Sequence, residues 1–212
     1  MEPLPATPQP FLRRLARGLY WRLLALSFRL LKPMLSALRN RLQPRATWPG
    51  HDATWPDLEA YAEWLPQHVR WHSDPLNGLV DTFPDRETIA AQLRAQGYFA
   101  DDCDGLAFFS AQNVRNFADD PERVYIVTVV LDPYTFPQNP LLYAAHVICV
   151  FLHKGVWRVI SNDTLYRQYF SSFAEAVQNN PYCAGHPVLW AEVRNAELKP
   201  IVSGQHLATF AV

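Results

Sequence analysis

Between residues 124 and 161 the chain carries three apolar runs rich in β-branched residues: VYIVTVVLD (124–132), AAHVICVFL (144–152) and VWRVIS (156–161). Only His153, Lys154 and Gly155 separate the last two, the length of a tight hairpin turn. Branched Cβ atoms favour extended backbone, and strands joined by so short a turn pair antiparallel. Upstream the periodicity is helical. DLEAYAEWL (57–65) predicts a short helix with Asp57 at its start, and Asp85 is placed to cap a helix over 86–96 that ends at Gly97. A further helix is predicted from Asp101 or Asp102 to about residue 117. Downstream, SFAEAVQNN (172–180) predicts a helix and PVLWAEV (187–193) a last strand. Helices first and a mostly antiparallel sheet afterwards define an α+β fold. Residues 73–84 and the segment DPYTFPQNP (132–140) are expected to be loops.

The N-terminal part stands apart by charge. MEPLPATPQP (1–10) is Pro-rich and reads as an extended tail. Residues 11–43 hold eight Lys/Arg and no acid, with Leu12, Leu15, Leu19, Leu23, Leu26 and Leu30 forming one helical stripe and Arg13, Arg17, Arg22, Arg29 and Lys32 supplying charge around it. Pro33 is expected to kink or end this helix, with 34–42 resuming it. Arg22 and Arg29 interrupt any apolar window of about 20 residues, which argues against a membrane span. A secretory signal is not expected, because no basic n-region precedes the apolar stretch. Two readings of the arm stay open: a helix that binds an anionic membrane or an acidic partner, or one packed on an acidic body. Residues 44–212 supply that body, with 11 basic and 19 acidic side chains. The total charge of −1 excludes a chain basic throughout, so nucleic acid is not an expected partner. An apolar fraction of 49% excludes a largely disordered chain. The three cysteines, 103, 149 and 183, are too scattered for a disulfide framework or a closed zinc site. That usage suits a reducing, cytoplasmic setting, or through the arm the periphery of a membrane.

Chemistry concentrates at GYFADDCDGLAFFSAQ (97–112), which puts Cys103 in the first turn of a helix, where N–H groups and the helix dipole favour a thiolate. Ala107, Ser110, Ala111, Val114 and Ala118 give that helix a small face for packing on a sheet, with Cys103 at its head, at the expected helix–sheet seam. A nucleophilic thiol needs a base, and His146 opens a predicted strand. If Leu152 pairs with Gly155, His146 lies opposite Ser161 and Asp163 reaches the imidazole diagonally; a one-residue change of register favours Asn162. Either could orient the ring. Asp101, Asp102 and Asp104 crowd the thiol and would raise its pKa. That is eased if Asp101 is the N-cap while Asp102 and Asp104 face solvent or a cationic substrate group. The Cys103 N–H is the natural oxyanion donor, with Gln96 a side-chain candidate.

These three segments, Asp-Asp-Cys-Asp-Gly-Leu-Ala, Ala-His-Val-Ile-Cys-Val-Phe and Trp-Arg-Val-Ile-Ser-Asn-Asp, resemble the transglutaminase-like core, most closely the bacterial transglutaminase-like cysteine peptidases. The resemblance covers roughly residues 85–165. It implies a papain-like core over 85–212, preceded by the 44–84 linker and the 11–43 arm. It implies Cys103 as nucleophile, His146 as base and Asp163 (or Asn162) as orienting group, acting on a protein or peptide substrate by acyl transfer to water or an amine. The chain departs from the pattern at Ala100-Asp101-Asp102, at Gly105, where an acid is common, and at Ser161, a candidate for the column that family gives to Asp. No cofactor or metal is needed for that chemistry; calcium is known in parts of the family, and no ligand set for it is visible here. The competing class is a catalytically inactive member that kept the fold and docks through its basic helix.

Weaker candidates are a His68/His72 pair at zinc-helix spacing, Trp48, Trp55, Trp64 and Trp71 as a groove or as packing, and Cys183 near His186.

Overall fold

The computed structural model describes residues 11–48, 55–73, 82–131 and 145–204. The Pro-rich lead, most of the 73–84 loop and the 132–140 loop lie outside the described residues. The elements, in chain order, are α1 (Phe11–Leu42), α2 (Leu58–His68), β1 (Val69–Trp71), α3 (Arg86–Gln96), β2 (Phe99–Asp101), α4 (Cys103–Val114), β3 (Val124–Leu131), β4 (Ala145–His153), β5 (Val156–Ser161), β6 (Thr164–Leu165), α5 (Phe173–Asn179), β7 (Val188–Asn195) and β8 (Pro200–Gly204). A six-stranded antiparallel sheet runs β6-β5-β4-β3-β7-β8. The fold is mixed α+β.

Local signals explain most boundaries. Asp57 caps α2 by accepting from Ala60 N at 2.8 Å, and Asp85 caps α3 by accepting from Thr88 N at 2.9 Å. Gly97 ends α3 with φ of 77°, where a Cβ would be strained. The β4–β5 turn uses Lys154 (φ 53°) and Gly155 (φ 76°), both left-handed, so it is a two-residue turn whose twist matches its strands. Such a turn pairs His153 with Val156, not Leu152 with Gly155. Sequence reasoning was therefore off by two residues, a slip that keeps every side chain on its face.

Alternation along β3, β4 and β5 divides the core into two layers. Val124, Ile126, Val147, Cys149, Phe151 and Ile160 pack against α2, α3 and α4. Val127, Val129, Ile148, Val150, Trp157 and Val159 pack against α5 on the other face. The C-terminal end of α4 is tied to the end of β4. Asp119 N donates to Leu152 O at 2.9 Å, His153 Nδ1 meets Phe117 O at 2.5 Å, and the Asp119 carboxylate accepts from Lys154 N and Gly155 N. Measured back from that anchor, α4 (about 1.5 Å per residue) and β4 (about 3.3 Å per residue) cover similar distances, so Cys103 sits near the level of the start of β4.

Two expectations are corrected, the extent of the Cys103 helix and the identity of the last strand. Residues 34–42 are helical as expected, and α1 runs through Pro33 to Leu42 without ending there. The turns beyond Pro33 are fixed by the body: Phe83 N donates to Ser36 Oγ at 2.8 Å, Arg39 donates to Thr82 Oγ1 at 2.8 Å, and Asn40 bonds Phe83 O and Asp85 N. Such docking offsets the hydrogen bond that proline removes. The predicted helix from 101 or 102 to 117 is shorter, Cys103–Val114. The strand ending at 193 is not the last, because β8 follows it. No expectation covered β1 and β2, which form a small parallel pair linked through α3, with His72 N extending the ladder to Asp101 O at 2.9 Å.

Candidate active site

Cys103 opens α4 because Asp102 caps it, with extended backbone and Oδ1 accepting from Asp104 N at 3.0 Å. Asp102, not Asp101, is the N-cap. Cys103 is half-buried, while Cys149 and Cys183 are buried. Burial pushes both of those thiols up, Cys183 to about 12. Cys103 alone combines exposure with a helix N-terminus.

The acids beside it are neutralised from α1 instead of facing solvent. Asp104, 1% exposed, meets Lys32 Nζ at 2.6 Å, and that ammonium also lies 4.2 Å from the Phe83 ring centre. Asp101 accepts from Arg39 Nη2 at 2.8 Å and from Asp102 N at 3.0 Å. Burial still lifts the Asp101 carboxyl above its ordinary range, with Arg39 pulling the other way. Gly105 makes this close approach possible: a Cβ there would stand 2.6 Å from Asp101 Cβ. Any side chain at position 105 would meet the Asp101 carboxylate. The C-terminal half of the arm is a helix packed on the body.

His146, 7% exposed, lies on the same face as Ile148 and Val150. Its Nε2 meets Ser161 Oγ at 2.8 Å. The Tyr166 phenol lies beside the same hydroxyl, whose proximity works against the rise in its pKa that burial causes. Tyr182 covers the imidazole, with ring centres 4.2 Å apart. Desolvation lowers the His146 pKa to about 4, so the ring is neutral at pH 7. Neither Asp163 nor Asn162 is the imidazole's partner. Asn162 turns the chain with φ of 51°, and Asp163 Oδ1 accepts instead from Thr164 Oγ1 at 2.9 Å. With the ladder fixed by the two-residue turn, Ser161 occupies the position diagonal to His146.

The two principal residues belong to different layers. Cys103 packs with the α4 layer, over the face of Val147 and Cys149, while His146 points into the α5 layer. The expected common seam is therefore corrected: α4 covers the alternate face of β4. The link between them is Tyr182, which lies on the His146 ring and whose phenol is raised above its usual range by burial first and then by the proximity of Cys103, Cys183 and Tyr166. Sequence reasoning missed Tyr182 and Tyr166, and it set Ser161 across from His146 while naming Asp163 or Asn162 as the ring's partner. The first two reach the ring or its partner from connecting segments whose fold no local pattern reports.

Gln96 is exposed at the end of α3, with Nε2 bonded to Gln92 Oε1 and Tyr98 O, so it is not aimed at Cys103. His68 bonds Trp64 O through Nδ1 and stacks on Trp64 at 4.1 Å. No group of three His, Cys, Asp or Glu among the described residues could hold a metal ion. Trp48, Trp55 and Trp64 pack against the α4-side core. Compared with family models, curated proteins and solved structures, the chain has no match.

Proposed function

We propose that this protein is a cysteine-dependent acyl-transfer enzyme of transglutaminase-like type, acting on an amide bond, with Cys103 as nucleophile and His146 as base. Ser161, backed by Tyr166, orients the imidazole in place of a carboxylate. The observation that carries this reading is the 2.8 Å contact of His146 Nε2 with Ser161, which leaves Nδ1 as the ring's other nitrogen, together with Tyr182, which lies on the imidazole and is close enough to Cys103 to feel its charge. In the reaction, Cys103 Sγ adds to the amide carbonyl as its proton passes to His146. The C–N bond breaks as His146 returns that proton to the leaving amine, and a thioester remains. Water or a second amine, deprotonated by His146, then releases the acyl group. Tyr182 must swing off the ring to admit substrate, which also returns water to the imidazole and restores its basicity.

A second reading, a non-catalytic scaffold of the same fold, is favoured by the depressed basicity of His146 and by its place in the layer opposite α4. Alkylation by iodoacetamide against pH separates the two. The enzyme reading expects Cys103 to react with an apparent pKa below the free-thiol value of about 8.5, and expects His146→Ala to move it up. An apparent pKa near the free value, unchanged by His146→Ala, would favour the scaffold.

A further inference from the structure

We infer that residues 11–31 of α1 form an interfacial helix that docks the protein on an anionic lipid surface. The inference is independent of whether Cys103 is a nucleophile. Leu12, Leu15, Leu19, Leu23, Leu26 and Leu30 are each between 52% and 75% exposed. Among the described residues, ten of the thirteen exposed large hydrophobics belong to α1. Single exposed leucines are ordinary, but a continuous apolar stripe on one helix marks a contact surface.

Among the described residues, the face of α1 that docks on the body is not the face of this stripe. Lys32 and Arg39 hold α1 to the body through Asp104 and Asp101. At about 100° per residue, Lys32 and Arg39 lie roughly 160° and 180° around the helix from Leu30. The face that docks on the protein and the face that carries the leucines therefore point in opposite directions.

Period and charge select the occupant. From Leu12 to Leu30 the steps are three, four, four, three and four, the mean period of a straight α-helix. A left-handed coiled coil needs a mean step of about 3.5 residues, so the stripe would drift off a second helix but stays in register with a flat layer. Residues 11–43 carry eight cations and no acid, so two copies side by side repel in either orientation. The same charge complements anionic headgroups. No helix among the described residues is long and apolar enough to cross a membrane, which leaves the plane of the interface. The body, with 19 acids against 11 cations over residues 44–212, is repelled by such a surface, so α1 must hold it there.

The test is cosedimentation of the full chain with vesicles of phosphatidylcholine and phosphatidylserine in a two-to-one ratio, beside vesicles of phosphatidylcholine alone. The comparison variant is Leu19→Asp/Leu26→Asp, whose exposed sites leave the folded body untouched. Binding to the mixed vesicles is expected, weaker to neutral ones, falling with added salt, and lower on the order of a hundredfold in the variant. Equal binding by the variant, or no vesicle binding by the wild type, overturns the inference. A wild-type dimer seen by light scattering, lost in the variant and unaccompanied by vesicle binding, assigns the stripe to a second copy and also overturns it.

Discussion

Replacing Gly105 by alanine sets two effects of opposite sign against each other. Alanine in a helix interior is favoured over glycine by about 1 kcal/mol. Against that, the new Cβ would stand 2.6 Å from Asp101 Cβ and 2.5 Å from its Cγ, with the carboxylate nearer still. Asp101 has little freedom to retreat. It is 3% exposed, Arg39 holds one oxygen at 2.8 Å, and Asp102 N holds the other at 3.0 Å. Turning it away breaks a hydrogen bond to a charged group, a loss of about 1.5–3 kcal/mol. Moving α4 instead disturbs a packed core, a loss of about 1–3 kcal/mol. Either route exceeds the propensity gain, so Gly105→Ala is expected to destabilise by about 1–2 kcal/mol on balance. Urea unfolding of the full chain at neutral pH measures this as a lower midpoint with an unchanged slope. In an Asp101→Ala background the clash is absent, so the same glycine change is expected to be neutral or stabilising there, a coupling that a double-mutant cycle reads directly. A Gly105→Ala protein more stable than the wild type, or a cycle with no coupling, would refute the reasoning.

Burial of a neutral imidazole predicts a pH dependence. The folded pKa of His146 is about 4 against about 6.5 when unfolded, so its contribution is fully present above pH 6.5 and is lost as pH falls toward 4. The loss is about 3 kcal/mol, and it shows as the difference between wild-type and His146→Gln stability curves, which should converge in acid; parallel curves would contradict it. The buried Lys32–Asp104 pair predicts that Lys32→Met costs about 3–5 kcal/mol, appearing as lost amide protection over residues 34–42 if α1 lets go of the body first. Lys32→Met with Asp104→Leu should recover most of that protection, and wild-type protection in the single variant would count against the pair.

What was legible in the sequence is what neighbours in the chain decide. Asp57 and Asp85 as caps, Gly97 as a stop, and β3, β4 and β5 all follow from residues within a few positions of one another. The parallel β1–β2 pair was not legible, because two three-residue strands meet across the intervening α3 and neither carries a periodic signal. The hairpin register was misjudged because Lys154 gives little sign of a left-handed turn, a position more often filled by Asn or Gly. At the site, Cys103 in a first turn and the face shared by His146 and Ser161 could both be read from spacing. The sign of the layer could not. Alternation says which residues of β4 share a side and does not say which side α4 will cover. The acids around Cys103 looked like an electrostatic burden for the same reason: Lys32 and Arg39 lie some sixty to seventy positions upstream, and helical periodicity names a face without naming its partner.

The ends of the main sheet constrain how molecules of this chain can associate. One outer strand, β6, is two residues long, and the other described outer strand, β8, begins at Pro200, which has no N–H to offer a neighbour. At the β6 side so short a margin gives an incoming backbone almost nothing to template on, which disfavours strand addition at that edge. Self-assembly through the β6 edge would first require the sheet itself to open there.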